Sequence, residues 1–156
     1  MSLSILQVFL GTFPESILMT YVGLGILGIK STLKNYLKIG ICYNIILVLA
    51  RNLYGLHSII LCMVLSILIK IIINIDWKLS IMSAIIGFII MFMGEALVLP
   101  VAFQYLNVNI QEVHKSLSLY FGLFYLSKVP LLISALSIYF LEFNIKGMLN
   151  DEEINI

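Results

Sequence analysis

The chain has 156 residues, 62% of them hydrophobic and only 11% charged, with a formal net charge of +1. A water-solvated domain is nearer half apolar and about a quarter charged, so a soluble globular protein is excluded and lipid is the solvent that fits. The balanced charge and the lack of any Lys/Arg-rich run also exclude nucleic acid as a partner.

A membrane-crossing helix needs about 20 mainly apolar residues. The first such run covers residues 3–29. It opens on Met1-Ser-Leu-Ser with no basic region and no clean A-x-A site, so it is expected to be a permanent span rather than a removable leader. Gly23, Gly25 and Gly28 in this run form a G-x-G-x-x-G pattern. No βαβ context surrounds it, and the expected role is close helix packing. A polar stretch carrying Lys30, Lys34 and Lys38 follows.

The second run, residues 39–50, is too short for an ordinary span. It fits a short span, a re-entrant segment or a helix continuing past Arg51. Residues 51–57, Arg51-Asn-Leu-Tyr54-Gly55-Leu-His57, interrupt it, and Gly55 permits a turn. The third run covers residues 58–75, with Lys70 near one end. Residues 74–78 read as an interfacial turn in which Trp77 suits the headgroup zone. The fourth run covers residues 79–105, a polar connection follows at 107–115, and the fifth run covers 116–143.

Barrel strands would alternate apolar and polar residues over about ten positions, whereas these runs are continuously apolar. The expected fold is all-α: a polytopic transmembrane helical bundle of about five spans over residues 1–144, with the second span short or re-entrant. Residues 145–156 form a short acidic cytoplasmic tail. Lys30, Lys34, Lys38, Lys70, Lys78 and Lys146 fall on one side, and Arg51 and Lys115 on the other. Basic residues concentrate on the cytoplasmic side, so the expected topology places the N-terminus outside and the C-terminus inside a cell membrane.

Ionisable residues inside the apolar runs are the candidate site. Glu15 lies in the first run, Glu95 in the fourth and Lys128 midway along the fifth, while Arg51 ends the second. At about 1.5 Å of rise per residue, Glu15 and Lys128 lie about 18 Å below the outer ends of their helices and Glu95 about 14 Å below its own. An isolated charge at mid-bilayer costs at least about 2.5 to 3.5 kcal/mol. Two acids and two bases at similar depth are therefore expected to meet as an internal cluster, with Tyr54 and His57 at its rim. Such a cluster either fastens the helices together, lines a ligand pocket, or forms a proton or ion pathway. Pro14, Pro100 and Pro130 lie close to these charges, where the kinks they introduce would open space.

Nothing in the chain has the pattern of an enzyme or a cofactor site. Cys42 and Cys62 sit in apolar runs and are expected to pack as small apolar groups. His57 and Cys62 are five apart, on different helix faces, and no metal-ligand spacing is present. His114, beside Glu112 and Lys115, is expected in a solvated loop. The partners expected are the bilayer and either a signalling protein or a second copy of the chain. A small transporter, or a transporter subunit using the carboxylates for proton or cation coupling, is the alternative.

Three phrases carry a family resemblance. Residues 9–15, Phe-Leu-Gly-Thr-Phe-Pro-Glu, followed by Gly23-Leu-Gly-Ile-Leu-Gly28-Ile-Lys30, resemble the first span of the membrane-embedded input regions of GHKL-type sensor histidine kinases of low-GC Gram-positive bacteria. The stretch from Arg51 through His57 to Ile60 resembles their arginine-to-glycine-histidine turn, and Gly94-Glu95 with Pro100 resembles their later acidic span. The resemblance implies a multi-helix input domain with its C-terminus inside. It departs from the family beyond Asn144, where the remaining dozen residues leave no room for a phosphoacceptor helix or an ATP lid. A detached input module, a truncated product or a regulator working through a partner is the expectation.

Overall fold

The computed structural model describes residues 5–50, 57–106 and 117–141. They form six helices and no strand: α1 (Ile5–Ile26), α2 (Leu33–Ala50), α3 (His57–Ile73), α4 (Trp77–Leu106), α5 (Leu117–Ser127) and α6 (Val129–Leu141). An all-α fold follows from unbroken apolar runs, because a helix satisfies its own backbone hydrogen bonds.

The helix ends are set by local chemistry. At the end of α1, Gly28 has φ 71°, its N–H donates to the Gly25 carbonyl at 2.9 Å, and the Ile29 N–H donates to the Leu24 carbonyl at 2.9 Å. This paired closure uses a left-handed residue that glycine supplies without steric cost. Gly28 therefore stops the helix rather than packing against a neighbour, which corrects the packing role expected for it. At the end of α3, Asn74 takes the left-handed conformation (φ 59°) and its N–H donates to the Lys70 carbonyl at 3.0 Å. The Asp76 carbonyl then accepts the Ser80 N–H at 2.9 Å and the Ser80 hydroxyl at 3.0 Å, starting α4. Trp77 is thus the first residue of a helix rather than part of a turn.

Two boundaries differ from expectation. α2 begins at Leu33, not near residue 39, and is long and apolar enough to cross a membrane rather than being short. Its first turns are two-faced: Lys34 and Lys38 are exposed while Tyr36 and Ile39 are buried. A count of apolar residues stops at the lysines, but the helix does not. The fifth run is broken at Lys128 into α5 and α6, which are bent by 43°. Pro130 cannot donate a backbone hydrogen bond. By contrast, α1 and α4 continue through Pro14 and Pro100.

α1 packs on α2 and α4, and α3 packs on the same two helices, so the first four helices close into a ring. α6 lies against α1 and α4, and α5 against α4. Small residues bring α1 and α4 together. A Cβ at Gly23 would fall 2.1 Å from the Ser83 carbonyl oxygen, and one at Gly87 would fall 2.7 Å from that of Met19. Gly25 faces the Ile138 side chain of α6. Such close approach is how helices associate where lipid removes the hydrophobic drive between them. The main core includes Met19, Val22, Ile39, Leu65, Ile69 and Leu131, and a smaller cluster joins Ala102 to Leu123.

Among the described residues, α2 and α4 are long and apolar enough to cross a membrane, and the bent pair α5–α6 makes a third crossing if it is one span. Their exposed apolar side chains, such as Ile45, Leu49, Ile89 and Leu97, suit a lipid environment.

Candidate functional site

Gly94 brings α4 onto the break between α5 and α6. A Cβ there would lie 2.2 Å from the Ser127 carbonyl oxygen and 3.3 Å from the Pro130 ring. Because the backbones touch at Gly94 and Ser127, the next residue on each side, Glu95 and Lys128, is within reach of the other. Gly11 plays a looser version of the same role on α1, where a Cβ would meet the Phe124 ring at 3.5 Å. One helical turn further along α1 stands Glu15.

Lys128 occupies the centre. Its Nζ lies 2.9 Å from Glu15 Oε1 and donates to Glu95 Oε1 at 2.6 Å. It also sits 5.0 Å from the centre of the Phe124 ring, where the π-face attracts a cation. An ammonium has three donors and no acceptor; two donors meet carboxylates. The Lys128 and Glu15 side chains are 7% and 11% exposed, whereas Glu95 is 36% exposed. The buried pair is thus Lys128–Glu15, and Glu95 is the member that looks outward. The triad lies along the chain between the two apolar clusters, since Glu95 falls between Met91 and Ala102, and Lys128 between Leu123 and Leu131. It is a polar seam at the α5–α6 break.

The three described groups carry one more negative than positive charge when all are ionised. The arrangement places one cation between carboxylates from α1 and α4 at the α5–α6 break. Three of the four expected cluster residues are therefore placed together. The fourth, Arg51, and the rim residue Tyr54 lie outside the described residues, as do His114 and residues 145–156. His57 is the first residue of α3, and nothing further is described of it.

A second polar group, absent from the expected cluster, joins α1 to α2. Asn44, buried on α2, donates to the Gly40 carbonyl at 2.8 Å and to Ser16 Oγ at 3.1 Å, and its Oδ1 accepts the Thr12 hydroxyl. Ser16 in turn donates to the Phe13 carbonyl at 2.9 Å, and Thr20 to the Ser16 carbonyl at 2.8 Å. Thr12, Ser16 and Thr20 are spaced by four along α1, on one face of the helix. With Asn44, the only amide inside the second apolar run, that spacing is the signal that would have found the α1–α2 seam. α1 thus carries polar groups on two faces: Asn44 holds it to α2, and Lys128 ties it to the α5–α6 break. These hydrogen bonds fix the position and rotation of α1 around Glu15.

No known protein family matches the chain, and neither a curated protein nor a solved structure matches it.

Proposed function

We propose that the protein is an integral membrane sensor or regulatory module without catalytic activity, in which binding of a small ligand or of a partner's transmembrane helices alters the Glu15–Lys128–Glu95 triad and so moves α6. The observation that carries this reading is the position of Lys128: the cation shared by α1 and α4 stands at the 43° break between α5 and α6. A switch needs a local charge event joined to an element with two arrangements. α6 has 13 residues, about 20 Å of helix. A change of about 10° at the break moves its far end by about 3 Å.

The architecture proposed is five spans. α1 has 22 residues and reaches about 33 Å, and α3 has 17 and reaches about 25 Å, close to the hydrocarbon thickness. With α2, α4 and the bent pair α5–α6, these make five crossings. The N-terminus is then outside and the C-terminus cytoplasmic. Lys30, Lys34, Lys38, Lys70 and Lys78 support that orientation, because the α1–α2 connection and the α3–α4 turn lie at the same end of the ring. A cysteine placed at Lys34 is expected to resist an impermeant thiol reagent added to intact cells and to react after permeabilisation. Labelling before permeabilisation would reverse the topology. The resemblance to kinase input regions supports the same orientation and suggests a soluble signalling protein as the partner.

The functional test is a spin-label distance between Ile81 on α4 and Phe140 on α6, both exposed, in a background with Cys42 and Cys62 replaced. Glu15→Gln is expected to shift the distance distribution by about 3 Å or more. An unchanged distribution in both Glu15→Gln and Glu95→Gln would remove the switch. A second reading, a transporter or transporter subunit, is favoured by the outward exposure of Glu95, since an accessible carboxylate beside a lysine suits proton or cation exchange. Flux driven by a pH gradient in proteoliposomes, abolished by Glu95→Gln, would establish that reading in place of the first.

A further inference from the structure

The end of the ring opposite the triad carries charges where a helix tolerates them least. Lys34 stands in the first turn of α2 and Lys78 in the first turn of α4, and neither turn contains an acidic residue. Helix N-termini carry partial positive charge and are stabilised by anions, not cations. Lys34 and Lys38 are both exposed and four residues apart, a like-charge pair that destabilises a helix. Lys30, also exposed, adjoins them on the α1–α2 connection, and Lys70 lies in the last turn of α3.

These residues share one end because α1 and α4 run antiparallel, as the Gly23–Ser83 and Gly87–Met19 approaches require. The three-residue turn from α3 to α4 then falls beside the α1–α2 connection. Asp76 is the one acidic side chain among the described residues there. Among the described residues, Lys34, Lys38, Lys70 and Lys78 stand against Asp76 at this end, and local rules broken together mark functional surfaces. Trp77 stands among them, exposed and adjacent to Lys78, as befits a headgroup-level residue.

We infer that this end of the bundle is a binding surface for anionic phospholipid, with Lys34, Lys38 and Lys78 holding the headgroup phosphates. The lipid's negative charge relieves the lysine repulsion and meets the positive ends of α2 and α4 at once. A lipid suits the place better than a soluble anion, because the apolar outer faces of both helices begin within a turn of the lysines, at Leu37, Ile41 and Ile81. Headgroup and acyl chain therefore find their own chemistry on adjoining surfaces. This inference rests on the membrane location and not on the sensor reading.

The chain's single tryptophan makes the test direct. The full-length protein is reconstituted in phosphatidylcholine vesicles, and Trp77 quenching is compared for brominated phosphatidylglycerol and brominated phosphatidylcholine. A lysine near an anionic surface is worth about fivefold in affinity, so phosphatidylglycerol is expected to quench with a relative binding constant at least about fivefold higher. Lys34→Gln/Lys38→Gln/Lys78→Gln is expected to bring the ratio close to one, and Lys34→Arg/Lys38→Arg/Lys78→Arg to keep it. All three lysines are exposed, so neither triple variant disturbs the core. Equal quenching by the two lipids in the unaltered protein, or a preference that survives the glutamine variant, would overturn the proposal. No quenching by either lipid would overturn it together with the membrane placement of α4.

Discussion

Replacing Lys128 by methionine is expected to destabilise the bundle by about 3–5 kcal/mol, the usual result of removing one partner from a buried ion pair. The substitution keeps the length and much of the volume of the side chain but leaves Glu15 buried without its cation. Glu15 and Glu95 then face the same gap, since both carboxylates sit on a single nitrogen at 2.9 and 2.6 Å. The contact with the Phe124 ring is lost as well. Unfolding by SDS titration, followed through Trp77 fluorescence, measures the loss. The triple variant Glu15→Gln/Glu95→Gln/Lys128→Met should recover most of it, because neutralising every member removes the stranded charge. Glu95→Gln alone should cost about 1 kcal/mol or less, as its carboxylate is 36% exposed and Lys128 keeps Glu15. If Lys128→Met unfolds at the same SDS fraction as the unaltered protein, the triad is not a structural element at all.

This pattern separates fastening from signalling. A cluster that only fastens helices loses stability on substitution, with α6 held in place by its contacts on α1 and α4. A cluster that also sets the α5–α6 bend shows an altered α6 position in variants that are still folded, such as Glu15→Gln. The stability series and the spin-label distances therefore answer different questions about the same three residues.

The triad was legible in the sequence because charge in hydrocarbon is costly. Glu15, Glu95 and Lys128 stand out in apolar runs, their depths agree, and opposite signs leave pairing as the cheap solution. Depth along a helix is set by residue count alone, so this inference needed no knowledge of packing. The helix break at Lys128 was less legible. Three prolines stand near charges, and nothing local separates Pro130 from Pro14 and Pro100, yet only the helix before Pro130 is interrupted. What differs is tertiary: α4 presses on the Ser127 carbonyl through Gly94.

The start of α2 is hidden in the sequence for a related reason. Lys34 and Lys38 lower the hydropathy of a segment whose other face is buried through Tyr36 and Ile39, so a one-dimensional count ends where the helix has only become amphipathic. Asn44 is inconspicuous in the sequence because a single neutral amide barely changes hydropathy. Its meaning lies in Thr12 and Ser16 across the interface, and that pairing exists only once α1 and α2 are in register.

Glycine to alanine at position 94 is the second substitution expected to have a large effect. In an open helix, the change stabilises by up to about 1 kcal/mol, and Gly122, with nothing within 4 Å of its would-be Cβ, should behave that way. At Gly94 the Cβ would fall 2.2 Å from a backbone carbonyl, which cannot rotate aside as a side chain does. α4 and the α5–α6 break must separate, at about 1–3 kcal/mol for overpacking. Gly25→Ala should be milder, because the atom in the way belongs to the flexible Ile138 side chain. Separation at Gly94 also draws Lys128 away from Glu95, so part of the damage is the loss of that contact. Gly94→Ala and Glu95→Gln should therefore combine to less than the sum of their separate effects, as residues sharing one interaction do. Strict additivity in SDS unfolding would mean that the close approach at Gly94 and the ion pair beside it are independent, and that α4 does not hold Lys128 in place through its backbone.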